Sequence, residues 1–343
     1  MHFKNRNVSI GHDIASYIYY IKRLIIKILN YCRAYCNYLS VLMHLLRRKK
    51  FPIQAILRNG QHLTLYTNQE LNFIAQLQGH GGIEYDIAND IVCMRSLPYN
   101  MTADNKIMKV KLYGAINNGD IIPIFLNNAY YNLPVKGKIV IDIGANIGDS
   151  PIYFALCGAA KVIALEPFPT NYELARKNIE SNNLSGKVDL LLAGCAASQG
   201  YITIDPNYKS NIMSSLVDFK HGTKVPLLTL YDILKKYNLL SSNETILKMD
   251  CEGCEYEAIL SASADTLRRF SYIQVEYHYG YKNLKEKLEK SGFKVSITVP
   301  KTNPRHIINK PDNPKMYVGW IHAVNILITD NNSNNNNNHL LGT

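Results

Sequence analysis

An α/β fold with a doubly wound parallel sheet is what this sequence of 343 residues predicts, on three observations. From Lys138 onward, short apolar β-branched runs alternate with stretches of helical period, the order required by a sheet covered with helices on both faces. The first run, Ile139–Ile143, passes through Gly144 and Gly148 into a helix-compatible segment, Ser150–Cys157. That is a buried strand turning through glycines into a helix N-terminus. The second run, Lys161–Leu165, ends at Glu166, eighteen residues beyond Gly148. Doubly wound nucleotide-binding folds grip a ribose diol with an acid at that place.

The remaining elements follow in order. Ile14, Ile18, Ile21, Ile25, Ile28, Cys32, Tyr35, Leu39, Leu42 and Leu46 alternate spacings of four and three, which predicts one continuous amphipathic helix about nine turns long. Its longest uncharged run, Ala34–Leu46, is too short to span a bilayer, and no small-residue cleavage site marks a signal peptide. A basic helix of this kind lies on an anionic membrane surface or packs on protein, and the sequence leaves both readings open. Residues 51–135 read as a β-rich accessory region. One hairpin is expected from Phe51–Leu57 and His62–Thr67 around Asn59-Gly60, and a second from Ile107–Gly114 and Ile121–Leu126. Gln69–Leu77 between them is expected to be a short helix, followed by a flexible stretch at Gly79–Gly82.

Residues 136–330 form the α/β domain. Its strands are expected at 139–143, 161–165, 188–193, 245–249, 272–276 and 294–299, with Gly319–Ile328 inserting antiparallel as a seventh. Helices are expected at 150–157, 170–182, 229–237, 255–262, 264–269 and 281–291. The Asn-rich tail within 331–343 reads as disordered low complexity.

The net charge of +11 loses its apparent meaning once it is located. Residues 1–50 hold ten Lys or Arg against the single acid Asp13, leaving only +2 on the rest of the chain. A basic nucleic-acid cleft on the α/β domain is therefore not indicated. Seven cysteines at irregular spacing do not form a secreted disulfide framework. Cys251-x-x-Cys254 lacks the second pair that a zinc site needs and sits among acids, so a reducing, cytoplasmic setting is the expectation.

The glycine loop also selects its ligand. A dinucleotide fingerprint needs G-x-G-x-x-G, whereas this loop reads Asp142-x-Gly144-x-x-x-Gly148 with Asn146 in the place of the second glycine. Asp142 would repel a pyrophosphate but suits a cationic partner. S-adenosylmethionine (SAM) carries a sulfonium, an amino group and a ribose, and no phosphate, and is preferred over NAD.

Three segments together carry a specific resemblance: Val140–Ser150; Ala164-Leu165-Glu166-Pro167-Phe168-Pro169 with Asn171 and Asn178; and Lys248-Met249-Asp250-Cys251-Glu252-Gly253-Cys254-Glu255. In order and spacing, roughly residues 138–295 resemble the FkbM family of SAM-dependent methyltransferases. The Gly119-Asp120 turn and Tyr130-Tyr131 are similar to the region preceding this domain in archaeal-type members. The resemblance implies a Rossmann-like class I methyltransferase fold with a seven-stranded sheet. It also implies that Asp142, Gly144, Ala145, Asn146 and Gly148 line the methionine end of SAM, with Asp142 holding the amino group directly or through water. Glu166, followed by Pro167, would accept from the ribose hydroxyls. Gly194 and Cys195 would lie beside the adenine, read through backbone. Asp250 would stand at the carboxyl edge of the sheet, either contacting the cofactor or acting as a base.

Methyl transfer to oxygen needs alignment of acceptor, methyl and sulfur, and a base for the hydroxyl proton. Asp250, Glu252 and His278 are the candidates. Structural roles stand beside them: Asp250 positioning the SAM amino group, Glu252 capping the following helix, and Glu255 complementing that helix's dipole. A divalent ion held by Asp250, Glu252 and another acid would also activate a hydroxyl, but no pattern requires one and no metal ligands are assigned. The expected function is SAM-dependent O-methylation of a hydroxyl on a glycan, glycolipid or small metabolite, with no nucleic-acid partner. Peripheral membrane association would run through residues 14–50. A non-catalytic SAM-binding or regulatory protein, and an NAD-dependent oxidoreductase, are the alternatives.

Overall fold

The structure is a computed structural model that describes residues 10–45, 50–78, 83–94, 109–208, 218–300 and 317–327. The expected Asn-rich tail, the Gly79–Gly82 stretch and the first residues of the expected 107–114 strand lie outside these. The chain divides into two units, Ser9–Ala129 and a second made chiefly of Tyr130–Thr343.

The first unit opens with α1 (Ile10–Ala34) and α2 (Tyr38–Leu45). The single nine-turn helix expected from the apolar stripe is thus interrupted. At the break, Tyr35 bridges to Leu57, and the Cys36 N–H donates to Ile56 O at 2.7 Å. The Asn37 side chain accepts from Ile56 N (2.9 Å) and donates to Gln54 O (2.8 Å). Backbone groups that would continue the helix are instead satisfied by β1 (Ile53–Ile56), which pairs antiparallel with β2 (His62–Leu65) as the first expected hairpin. Next comes α3 (Asn68–Leu77), started by a reciprocal capping box between Thr67 and Glu70. Tyr31, Ala34 and Tyr35 at the end of α1 are fully buried, and the Tyr35 hydroxyl donates to Leu71 O of α3. The helices therefore belong to the same unit as the strands that follow residue 50.

β3 (Ile83–Asp86), β4 (Ile91–Met94) and β5 (Val110–Tyr113) form an antiparallel sheet in that order. β3 and β4 were not anticipated. The second expected hairpin is also corrected, because β5 pairs with β4 and Ile121–Leu126 is not a strand. After β5 the chain enters α4 (Ala115–Asn118) and then a π-helical turn, Ile122–Leu126. Ile121, Ile124 and Phe125 are buried, a helical i, i+3, i+4 spacing that the continuous apolar run conceals. Asp90 accepts from the Ile116 N–H at 2.7 Å and fixes the start of this helical stretch.

The second unit runs through β6 (Ile139–Ile143), α5 (Asp149–Leu156), β7 (Lys161–Glu166), α6 (Pro169–Ser181), β8 (Val188–Leu192), β9 (Gly194–Cys195), β10 (Gly200–Ile204) and β11 (Thr223–Leu228). It continues through α7 (Leu230–Lys236), β12 (Thr245–Met249), α8 (Cys254–Ser261), α9 (Ala264–Leu267), β13 (Phe270–Tyr277), α10 (Lys282–Lys290), β14 (Phe293–Ile297) and β15 (Gly319–Asn325). Its main sheet has seven strands in the order β14-β15-β13-β12-β6-β7-β8. All are parallel except β15, which inserts antiparallel between β13 and β14 as the sequence predicted. A small side sheet, β10-β11-β9, was not foreseen. The expected helices all form, with ends moved by one or two residues.

The central strands are buried on both faces, which is why they read as continuous apolar runs. β12 is buried at every position, including Lys248. Sheet order reverses between β6 and β12: β7 and β8 extend one way from β6, and β13 lies beyond β12. Ligands of open α/β sheets bind at the carboxyl ends of strands flanking such a switch.

Candidate active site

Two turns meet at that switch. Ile143 pairs with Met249, and the Asp250 N–H donates to Ile143 O at 3.0 Å, so residues 144–148 and 250–253 leave the sheet side by side. A Cβ placed on Gly144 would lie 1.9 Å from Asp250 O, and its φ is +84°. Gly148, at φ +86°, would bring a Cβ 3.1 Å from the Cα of Ala175 on α6. The sequence reading allowed glycine for close approach of a ligand. The structure shows that the chain's own close packing already demands both.

Neighbours tie the loop down. The N–H groups of Gly144 and Ala145 both donate to Leu165 O, at 3.0 and 2.9 Å. Asn146, in the position of the missing dinucleotide glycine, takes the left-handed conformation itself (φ +49°). Its N–H donates to Glu166 Oε2 at 2.8 Å, and its Oδ1 accepts from Asn171 at 2.9 Å. Asn178 donates to Ile147 O at 2.8 Å. Glu166 Oε1 accepts from the Phe168 N–H at 3.0 Å, and Pro167 beside it is half-buried. Burial pushes the Glu166 carboxyl up to about 8, against the pull of its two backbone donors. Gly194 and Cys195 are buried, and the Ala193 N–H donates to Glu166 O at 3.3 Å. The expected adenine segment therefore lies next to the expected ribose acid. Burial pushes the Cys195 thiol up to about 12, so it is an inert neutral group.

Asp142 faces inward. Its side chain has no exposed surface, and it forms an ion pair with Lys248 (2.8 Å) while accepting from Ser150 Oγ (2.7 Å). Lys248 Nζ also donates to Gly144 O at 2.8 Å. Asp142 thus sits behind the loop and braces it through Lys248.

The acidic turn and β13 form the second half of the site. His278 follows β13 and is buried. Its Nδ1 lies 2.8 Å from Glu255 Oε1, and its Nε2 lies 3.3 Å from Glu252 Oε1 and 3.8 Å from Asp250 Oδ1. All three candidate bases are therefore brought together. Burial alone would lower the His278 pKa, but the carboxylates of Glu252 and Glu255 outweigh it and hold the ring well above its ordinary value. Burial raises the Glu252 carboxyl, opposed by His278. Glu252 has a left-handed backbone (φ +56°) and does not cap α8, whose N-cap is Gly253. Glu255 does more than complement the helix dipole. Fully buried, it also accepts from the Gly253 N–H at 2.9 Å.

Cys251 and Cys254 are joined as a disulfide, contrary to the expectation of two free thiols. Asp250, Glu252 and His278 offer ligand atoms within 4.8 Å of one another and could hold a metal ion, as could Cys251, Cys254 and Glu255 as free groups.

Sequence reasoning missed the roles of Lys248, Glu255, Ser150 and the two asparagines. A lysine inside an otherwise apolar strand was the one visible signal, since a buried cation implies a buried anion.

A seven-stranded sheet with an antiparallel β15, a glycine loop after its first strand and an acid after its second defines a Rossmann-like class I methyltransferase fold. Residues 142–295 match the Methyltransferase FkbM domain. The chain is 27% identical over 169 residues to Methyltransferase sdnD of Sordaria araneosa, covering 40% of this chain and 65% of that protein. It is 25% identical over 207 residues to Methyltransferase 1 of Beauveria bassiana (strain ARSEF 2860), covering 53% of this chain and 82% of that one. The chain therefore spans just under two thirds of the first of these relatives. Among solved structures, M. jannaschii TYW2 in complex with AdoMet is 17% identical at a TM-score of 0.35, covering 64% and 83% of the two chains. The O-methyltransferase from Bacillus cereus in complex with SAH is 13% identical at 0.32, covering 55% and 73%. The fold assignment rests on strand order and not on these superpositions.

The cofactor of this domain is SAM. The residues fit it. The first turn of α5, where a pyrophosphate would need positive potential, carries the buried acid Asp149. Glu166, Asp250 and Glu252 supply acids suited to a ligand that combines a cation with hydroxyls.

Proposed function

We propose that this protein is a SAM-dependent O-methyltransferase acting on a hydroxyl of a glycan, glycolipid or small metabolite. The observation that carries the reading is the backbone contact between Gly144 and Asp250. It joins the cofactor loop to the cluster of Asp250, Glu252 and His278 at one sheet edge, so donor and base share a site.

SAM supplies a methyl group bonded to a sulfonium sulfur. Glu166, with Asn146 and Phe168 fixing its two oxygens, takes the ribose hydroxyls. The acceptor hydroxyl loses its proton to a carboxylate. The carboxylates of Glu252 and Glu255 hold the His278 pKa well above its ordinary value, which favours the imidazolium and disfavours this ring as the proton acceptor. Of the three bases left open by the sequence, Glu252 is favoured, because burial moves its pKa toward the operating range of a general base. Asp250 stands beside it, and His278 positions both and balances their charge.

The neutral balance of residues 51–343 supports a small-molecule or glycan acceptor over nucleic acid. No described helix is long and apolar enough to cross a membrane. On α1, Ile18, Ile21 and Ile25 are exposed beside Lys22 and Arg23, which supports contact with an anionic lipid surface.

The test is to incubate the protein with methyl-labelled SAM and fractionated glycan, glycolipid and metabolite pools, then treat the products with mild alkali. An ether label survives and is recovered on oxygen. Label released as methanol, which marks a carboxylate acceptor, or label found only on nitrogen, overturns methylation of a hydroxyl. Tight SAM binding without S-adenosylhomocysteine in any pool favours the non-catalytic alternative, and NAD binding without SAM binding overturns the cofactor assignment.

A further inference from the structure

Methyl transfer as described uses neither Cys251 nor Cys254, yet their bond closes the turn that carries Glu252 and Gly253. Both cysteines are half-buried, within reach of a small reagent. Inside the ring, Glu252 keeps φ +56° and Gly253 φ +124°. A residue with a side chain rarely holds the left-handed region, and here it does so inside a covalent ring of four residues. Cys251 Sγ lies 3.3 Å from Glu255 Oε2, while Oε1 of the same carboxylate holds His278 Nδ1 at 2.8 Å. One carboxylate thus links the sulfur pair to the base cluster.

We infer that Cys251–Cys254 is a thiol–disulfide exchange site for a low-molecular-weight thiol, and that its redox state sets how firmly Glu255 holds His278 beside Glu252. A thiolate of the reagent attacks one protein sulfur, the protein S–S bond breaks, and the other sulfur leaves as thiolate and takes a proton from solvent. A second reagent thiol then attacks the mixed disulfide and releases the remaining protein thiol. Two reagent thiols are oxidised to one disulfide, and the protein pair gains two electrons and two protons.

The direction of the effect follows from the proton on sulfur. In the disulfide, Cys251 has none to donate, and Glu255 Oε2 receives only the Gly253 N–H. After reduction, the Cys251 S–H can donate to Glu255, drawing negative charge away from His278, and the turn around Glu252 is freed. Reduction therefore loosens the hold on His278 and oxidation tightens it. Any consequence for turnover rests on the reading of this cluster as the acceptor side of the methyltransferase site.

The test uses the full-length protein, histidine-labelled for NMR and equilibrated in buffers of reduced and oxidised glutathione, with no acceptor present. Alkylation and mass spectrometry should show residues 251 and 254 converting together between zero and two reactive thiols. At one fixed pH the ring nitrogen resonances of His278 should shift on reduction, because its hydrogen bond to Glu255 changes. The Cys251→Ser/Cys254→Ser variant should stay near the reduced position at every ratio, and the wild-type comparison suffices if that variant does not fold. Two free thiols at every ratio, or His278 resonances identical in both states, overturns the inference. Labelled-SAM transfer is read separately, so failure of the methyltransferase assignment and failure of the exchange site are distinguishable.

Discussion

Glu166 is a carboxyl whose ionisation is set by what approaches it. Burial raises its pKa from 4.5 to about 8, so the free protein holds a proton there at neutral pH. Ribose hydroxyls donate to the ionised form, so SAM affinity should rise with pH. Calorimetry should find binding about 25-fold weaker at pH 6.5 than at pH 8.5. The sign for stability is opposite. Because the folded pKa lies above the unfolded one, the ligand-free protein binds more protons than the unfolded chain between about pH 4.5 and 8 and loses stability as pH rises through that window. Glu166→Gln keeps the shape and removes the charge, and should cost about 10- to 100-fold in SAM affinity by the same measurement. Gly144→Ala belongs at this scale too. Its Cβ would meet Asp250 O at 1.9 Å, so the variant should lose about 2 kcal/mol or more in urea unfolding, along with its SAM binding. The glycine was legible in the sequence; the residue it makes room for was not, because Asp250 lies 106 positions further on.

At the scale of elements, β6 and β12 are joined by more than their ladder. The Lys248–Asp142 pair crosses between them at 2.8 Å, both side chains buried, and Lys248 also holds the loop carbonyl of Gly144. Lys248→Met would leave Asp142 charged or protonated without its partner and should destabilise the protein by about 3–5 kcal/mol, read from the urea midpoint at constant m-value. The strands themselves were readable, because each is a β-branched run buried on both faces. Ile121–Leu126 was not, since a short apolar run fits strand and helix alike until the burial of Ile121, Ile124 and Phe125 decides between them. The break at Tyr35–Asn37 left no mark either. It contains no glycine or proline, and its cause is β1, whose backbone competes for the same hydrogen bonds.

At the scale of the whole molecule, the basic N-terminal segment is part of a folded unit and not a detachable tail. Tyr31, Ala34, Tyr35 and Val41 are fully buried, so deleting residues 1–50 would open that unit's core as well as remove the exposed face of α1. Exposed positions give the cleaner experiment. Ile18→Glu/Ile21→Glu/Ile25→Glu should weaken sedimentation with anionic vesicles by at least about tenfold while leaving SAM affinity unchanged. Vesicle binding equal to wild type would show that α1 meets protein instead.

Taken alone, the sequence determined the doubly wound sheet, the antiparallel seventh strand, the glycine loop and the acid after the second strand. Periodicity, glycine placement and strand-end acids are local features, written within a few residues of one another. Tertiary structure alone decided that Asp142 faces Lys248, that His278 lies between Glu252 and Glu255, and that two cysteines close the turn between them. Those pairings join groups far apart in the chain, and burial gives them their chemistry: in a low-dielectric interior a charge is kept only beside its partner, and the fold selects that partner.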